Sequence, residues 1–260
     1  MAVIQANGLR HFYRREGNRR LPTLVLAHPI GFDHGLWDAV MPALTQQFHV
    51  MRYDLRGHGA SEATCEPCSV RLLADDAIAL LRSLEIERFC FAGTSLGALV
   101  GLQLALDLPD RMTALVVANA SAKLPLPAEE WNRRIALANA SGPQAFLTGM
   151  KERMFSADFR ETDDPRFHSL IESFMAMDAH AYAAAMPALR DANLLPQLAQ
   201  VRVSTMVVAG ESDAAVPRDH SAAMASGIRG AVLTVLPGGH LSAVESPDAF
   251  ASAVGSFCAR

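Results

Sequence analysis

Short apolar runs rich in β-branched and aromatic residues recur through the first half of the chain and again near its end. "TLVLAH" (23–28), "FHVMRYD" (48–54), "FCFAG" (89–93), "ALVVANA" (114–120), "STMVVAG" (204–210) and "AVLTVLP" (231–237) each read as a strand buried on both faces. Between them the period lengthens. In "SVRLLADDAIALLRSL" (69–84), Leu72, Leu73, Leu80, Leu81 and Leu84 fall largely on one side of a helix. "RDHSAAMASGI" (218–228) and the segment from Pro247 read as helices too. Strand and helix in alternation imply an α/β fold, a parallel sheet covered on both faces. "AVIQA" and "LRHFYRRE", joined at Asn7-Gly8, form an antiparallel hairpin at its edge, because Asn-Gly accepts the positive φ of a tight hairpin turn.

The rhythm breaks between Leu124 and Pro196. This stretch has no strand pattern, is rich in Ala and Met, and is interrupted by Pro and Gly. It reads as a helical cap (124–196) inserted between two strands of a core made of 1–123 and 197–260. A second irregularity is "FCFAGTSLGALVGLQLAL", eighteen residues without a charge from Phe89 to Leu106. That is about the shortest run that reads as a membrane span. Gly93, Thr94, Ser95 and Gly97 cluster near its front, where a spanning helix gains nothing from them, so it reads as a buried strand, a tight turn and a buried helix.

Composition narrows the field. Half of the 260 residues are hydrophobic and 19% are charged, as in a folded globular chain. A formal charge of −4 offers no basic footprint for nucleic acid or an anionic membrane. "MAVIQANGLRHFY" lacks a basic segment followed by an apolar one, so a cytoplasmic protein is expected. Cys65 and Cys68 form a C-x-x-C with Pro67 inside it, but no second Cys/His pair accompanies it to complete a zinc site. They are expected to be free thiols, and Cys90 a small buried hydrophobe.

The chemistry begins at Gly93-Thr94-Ser95-Leu96-Gly97, a G-x-S-x-G turn. A serine there is thrust above the sheet edge, glycines on either side let neighbouring backbones close in, and the following helix aims its positive end at it. A serine hydroxyl is a poor nucleophile until a base takes its proton and a carboxylate orients that base. Asp213 follows "TMVVAG" and His240 follows "AVLTVLP", each just past a strand and in the order Ser, acid, His. Glu211 is the alternative acid; Asn119, at another strand end, cannot serve as one. The N–H of Leu96 and one from "HPIGFDHGLW", at Ile30, are the expected oxyanion donors, with His28 and Gly31 shaping that loop beside the substrate. His34 is a candidate for lining the pocket, and His58 is expected to brace a loop. For His11, His49, His168, His180 and His220 the sequence names no partner.

"HPIG", "YDLRGHGASE", "GTSLGALVG", "GESDAAVP" and "PGGHLSAVESPDAF" together resemble the α/β-hydrolase superfamily over nearly the whole chain. "LADDAIALLRSLEIERFCFAGTSLG" and "VVANASAKLPLPAEEWNRRI" look most like the 3-oxoadipate enol-lactonases of aromatic-acid catabolism. Asn119, Ala120, Ala122, Lys123, Trp131, Asn132, Arg134 and Ile135 match that family's pattern at the approach to the cap. Three positions depart from it: His28-Pro29 stands where Asn-Ser is more usual, and Ala98 where a second glycine is usual. The resemblance implies a small lactone as substrate, opened by Ser95, His240 and Asp213 without metal or organic cofactor. It also implies a free carboxylate on that substrate, bound by Arg134 beside Trp131, with Arg133 as the alternative if the helix is rotated. Ester and carbon–carbon bond hydrolases share the same machinery, and a non-catalytic receptor on this fold is the remaining reading.

Overall fold

A computed structural model describes residues 2–64 and 66–259. Eight strands form one sheet: β1 (Ala2–Ala6), β2 (Leu9–Glu16), β3 (Thr23–Ala27), β4 (His49–Tyr53), β5 (Phe89–Thr94), β6 (Met112–Ala118), β7 (Thr205–Gly210) and β8 (Val232–Leu236). Their order is β1-β2-β4-β3-β5-β6-β7-β8, antiparallel for β1 to β2 and β2 to β4 and parallel across the rest. The hairpin turns where Asn-Gly predicts it, with φ of 48° at Asn7 and 78° at Gly8. β3 to β7 are buried almost throughout, as their unbroken apolar runs require. β8 departs from that expectation: Val232, Leu233 and Val235 are exposed because it is an edge strand.

The uncharged run Phe89–Leu106 divides as its glycines suggest, into β5, a turn at Ser95 and the helix Leu96–Asp107. Among the described residues no helix is long and apolar enough to cross a membrane. This helix is buried nearly all round because it lies against β3, β5 and β6. The helix Val70–Ser83 is capped by Ser69, whose Oγ accepts from the N–H of Leu72 at 3.1 Å. Cys65 lies outside the described residues. Cys68 is buried, and burial pushes its thiol up to about 11, far from a reactive thiolate.

Between β6 and β7 the chain makes the helices Ala128–Ser141, Leu147–Met154, Ala157–Arg160, Pro165–Ala176 and Ala179–Arg190. Phe155, Phe159 and Phe167 pack ring on ring within this segment. Ser173 ties it to the core by donating to Asp33 Oδ2 at 2.6 Å, and Phe174 meets Phe32 with centroids 6.2 Å apart.

The loops after β3 and β4 are held by buried histidines. His58 donates from Nδ1 to the Arg56 carbonyl at 3.0 Å, bracing its loop as expected, while its Nε2 is buried without a partner among the described residues. Burial, then the nearby His28 ring, lowers its pKa to about 3. Burial also lowers His28 and His11. Above pH 6.5 such rings are neutral in both the folded and the unfolded chain. Below it the unfolded rings bind protons that the folded ones refuse, so stability is full above that pH and is lost as the pH falls toward the folded value. Each ring contributes a slope of about 1.4 kcal/mol per pH unit within its window. Urea unfolding between pH 7 and 5 should therefore show falling stability, and His58→Gln should flatten the slope. An unchanged slope in that variant would place the effect elsewhere.

Candidate active site

Ser95 sits at φ 54°, ψ −116°, between β5 and the helix Leu96–Asp107. A positive φ is strained for a residue with a Cβ, and the surroundings enforce it. The Ser95 N–H donates to the Ala118 carbonyl at 2.9 Å, and its own carbonyl accepts from Ala98 and Leu99. The two motif glycines permit the closeness. A Cβ on Gly93 would stand 2.3 Å from the Gly97 carbonyl oxygen, and one on Gly97 would stand 2.2 Å from that of Ala27.

His240 and Asp213 meet across the ends of β7 and β8. His240 Nδ1 lies 2.9 Å from Asp213 Oδ2 and 3.1 Å from Oδ1, with both side chains buried. Gly210, ending β7, lets the histidine loop approach, since a Cβ there would lie 2.1 Å from the Gly239 carbonyl oxygen. Asp213 Oδ1 also accepts from the N–H groups of Ala215 (2.9 Å) and Val216 (2.8 Å). Burial alone would raise this carboxyl. His240, with the Val216 N–H and the Asn119 amide, outweighs it and holds Asp213 below the usual aspartate value, so it is ionised at neutral pH. An ionised acceptor requires the proton on His240 Nδ1, which leaves Nε2 free as a base. Glu211, the alternative acid, is exposed, and among the described residues its side chain makes no hydrogen bond to His240.

Asn119 has a place that sequence reasoning missed. At φ 50° just past β6, it donates from Nδ2 to Asp213 Oδ2 (3.1 Å) and to the Gly239 carbonyl (3.2 Å), and its Oδ1 accepts from Ser242 Oγ (2.7 Å). The one signal available was an amide at a strand end. Asn119→Ala removes a hydrogen bond to a charged group, so kcat for any turned-over ester should fall about 10- to 100-fold. Steady-state kinetics on the purified variant checks this, and an unchanged kcat would show that Asp213 is fixed without it.

Ser95, His240 and Ile30 line one cavity of about 310 Å³, at the small end for ligand sites. Most of its other walls come from the segment between β6 and β7, including Leu124, Trp131, Arg134, Phe146 and Arg153, with Ala215 and Val216 added from the loop after β7. Leu96 is fully buried at the first position of its helix, where a backbone N–H has no partner within the helix. His28 and Gly31, expected beside the substrate, do not line this cavity. His28 is fully buried, donating from Nδ1 to the Pro29 carbonyl (2.8 Å) and accepting at Nε2 from the Leu55 N–H (2.9 Å). It fixes the loop that carries Ile30. Gly31, at φ 84°, lets the loop pass beneath Phe174, whose ring would lie 3.0 Å from a Cβ. His34 is also outside the cavity, paired with Asp54 at 2.8 Å.

Of the two candidate arginines, Arg134 lines the cavity and Arg133 does not. Arg134 Nε donates to Glu130 Oε1 at 3.1 Å, and its guanidinium lies 5.7 Å from the centroid of the Trp131 ring. Arg133 points to solvent and binds the other Glu130 oxygen. Trp131 Nε1 is buried with no acceptor among the described residues. Arg153 was not singled out from sequence, because nothing in "GMKERMF" separates it from a surface arginine. Among the described residues one potential metal-ligand group, Asp33, His34 and Asp54, has donor atoms within 4.8 Å of one another, and these lie outside the cavity, bonded to each other, to backbone N–H groups and to Ser173 Oγ.

A nucleophile elbow after β5, an acid after β7 and a histidine after β8, roofed by a helical insertion after β6, define the class. The alpha/beta hydrolase family description matches residues 24–253, and the chain belongs to that family. It is a hydrolase. Among its relatives is 3-oxoadipate enol-lactonase 1 of Acinetobacter baylyi, 31% identical over 90% of this chain and 87% of that protein. A putative carbamate hydrolase, RutD of Pseudomonas syringae pv. syringae, is 32% identical over 91% and 93% of the two chains. The crystal structure of the enol-lactonase from Burkholderia xenovorans LB400 superposes with a TM-score of 0.96 at 32% identity, covering 100% of both chains.

Proposed function

We propose that this protein is a serine hydrolase that opens a small carboxylate-bearing lactone, with 3-oxoadipate enol-lactone as substrate and 3-oxoadipate as product. The observation that carries the reading is the meeting of Ser95 and the Asp213-held His240 in one small cavity whose roof presents Trp131 and Arg134. Likeness to two enol-lactonases over nearly the full chain supports the choice of substrate.

In this mechanism His240 Nε2 takes the Ser95 proton as Oγ attacks the ring carbonyl. The N–H groups of Leu96 and Ile30 hold the oxyanion. Collapse of the tetrahedral intermediate breaks the ring C–O bond, and His240 returns its proton to the enol oxygen. The enol remains tethered to the acyl chain and tautomerises to the ketone, which removes the nucleophile that would re-close the ring. Water then gives a proton to His240 and attacks the acyl carbonyl, releasing the dicarboxylate and restoring Ser95.

A second reading, a carbamate or simple ester as substrate, draws on the equal identity to a putative carbamate hydrolase. A panel of enol-lactone, saturated lactones, carbamate and p-nitrophenyl esters, compared by kcat/KM, separates the two. The proposal expects the enol-lactone to lead by at least about tenfold, the order of one well-placed recognition contact. A carbamate or neutral ester in first place would overturn it.

A further inference from the structure

The cavity roof holds more positive charge than its carboxylates neutralise. Two guanidinium groups, Arg134 and Arg153, line a cavity otherwise walled largely by apolar side chains. The carboxylate paired with Arg134 is Glu130, which also pairs with Arg133, so one negative charge serves two cations. Arg153 has no such partner. No carboxylate among the described residues forms an ion pair with it, and Glu152, its neighbour in sequence, is exposed.

Arg153 is nonetheless set back from open solvent. It stands near the end of the helix Leu147–Met154, only partly accessible to solvent, and its guanidinium folds back over Gly149. A Cβ at Gly149 would lie 2.8 Å from Arg153 Nη1, so the guanidinium rests directly against that turn of the helix. Burial, and then the charge of Arg134, pulls Arg153 below the usual guanidinium value. Two like charges beside one low-dielectric cavity repel each other, and an anion between them removes that repulsion while satisfying their N–H donors.

We propose that Arg153 is the principal anchor for a substrate carboxylate in this cavity, with Arg134 as the secondary one, and that the enzyme selects acyl groups bearing a terminal carboxylate. This deepens the hydrolase reading and rests on it for taking the cavity as the reacting site. Arg134 shares its charge with Glu130, whereas Arg153 offers an uncommitted planar fork able to bind both carboxylate oxygens.

The test compares p-nitrophenyl butyrate with mono-p-nitrophenyl glutarate, which share a leaving group and differ by the terminal carboxylate. In Arg153→Met the ratio of kcat/KM for the acidic ester over the neutral one should fall about 100-fold, chiefly through KM, in the range for losing a buried charged partner. Arg153→Lys keeps the charge and stem without the fork and should lose about tenfold, which also guards against a misfolded Met variant. Calorimetric titration with glutarate supplies a readout independent of turnover, and its Kd should rise by similar factors. A wild type that does not bind glutarate, or variants whose ratio and Kd stay within about threefold of it, would overturn the inference. If neither ester is turned over, the hydrolase reading fails, and glutarate binding still decides the role of Arg153.

Discussion

Replacing Ser95 with Ala should lower kcat by about 10⁵-fold or more while leaving the fold intact. The removed atom is the one that forms the acyl bond, and no other hydroxyl among the cavity residues stands at a nucleophile elbow. The strained backbone at Ser95 is imposed by its neighbours, by the Ala118 carbonyl and by the closeness that Gly93 and Gly97 permit, none of which the substitution touches. Alanine has the same Cβ and meets the same positive φ. Circular dichroism and the unfolding midpoint should therefore stay close to the wild type. Residual activity should remain above the uncatalysed rate, because oxyanion donors and substrate binding persist. Turnover within tenfold of the wild type would remove Ser95 from the mechanism.

Substitutions at His240 and Asp213 should be the next most damaging, and by different routes. His240→Ala removes the base and should approach the Ser95→Ala loss. The double variant should then cost little more than either alone, since the two act as one unit. Asp213→Asn should reduce kcat by about 10⁴-fold, through the tautomer of His240. Oδ1 of Asp213 receives the N–H groups of Ala215 and Val216, so the single oxygen of an asparagine would settle there. Its NH₂ would then face His240 Nδ1 and the Nδ2 donor of Asn119. That arrangement forces the His240 proton onto Nε2, where it can no longer accept the serine proton. The kcat/KM profile against pH, measured for wild type and Asp213→Asn, checks this directly. Loss of the acid limb with little loss of maximal rate would contradict the tautomer argument.

What could be read from sequence follows from what is local in sequence. Apolar run length gave the parallel strands, because a strand covered on both faces cannot hide polar side chains. The strand-to-helix turn at Ser95 was legible from its glycines, and Asp213 and His240 from their place just past strands. Features that depend on distant segments meeting were not legible. Asn119 reaches Asp213 across a separation of 94 residues, and nothing near Asn119 announces the partner. His28 looked like a pocket residue because it stands two residues before Ile30, yet the Leu55 N–H draws its ring into the core. Arg153 acquires meaning only when helix packing places it beside Arg134 and leaves it without a carboxylate. β8 has the apolar run of a central strand, and its edge position is a property of the whole sheet order.

The proposed mechanism turns on an acyl-enzyme between Ser95 and a lactone whose leaving group stays attached. Rapid mixing of the wild-type protein with 3-oxoadipate enol-lactone, followed by acid quenching and intact mass spectrometry, reads that bond. The expected result is a transient adduct that carries the full mass of the lactone, mapped by peptide digestion to Ser95, whereas a simple ester would leave an adduct lighter by its alcohol. Steady turnover of the lactone with no adduct, or an adduct on any other residue, would contradict it.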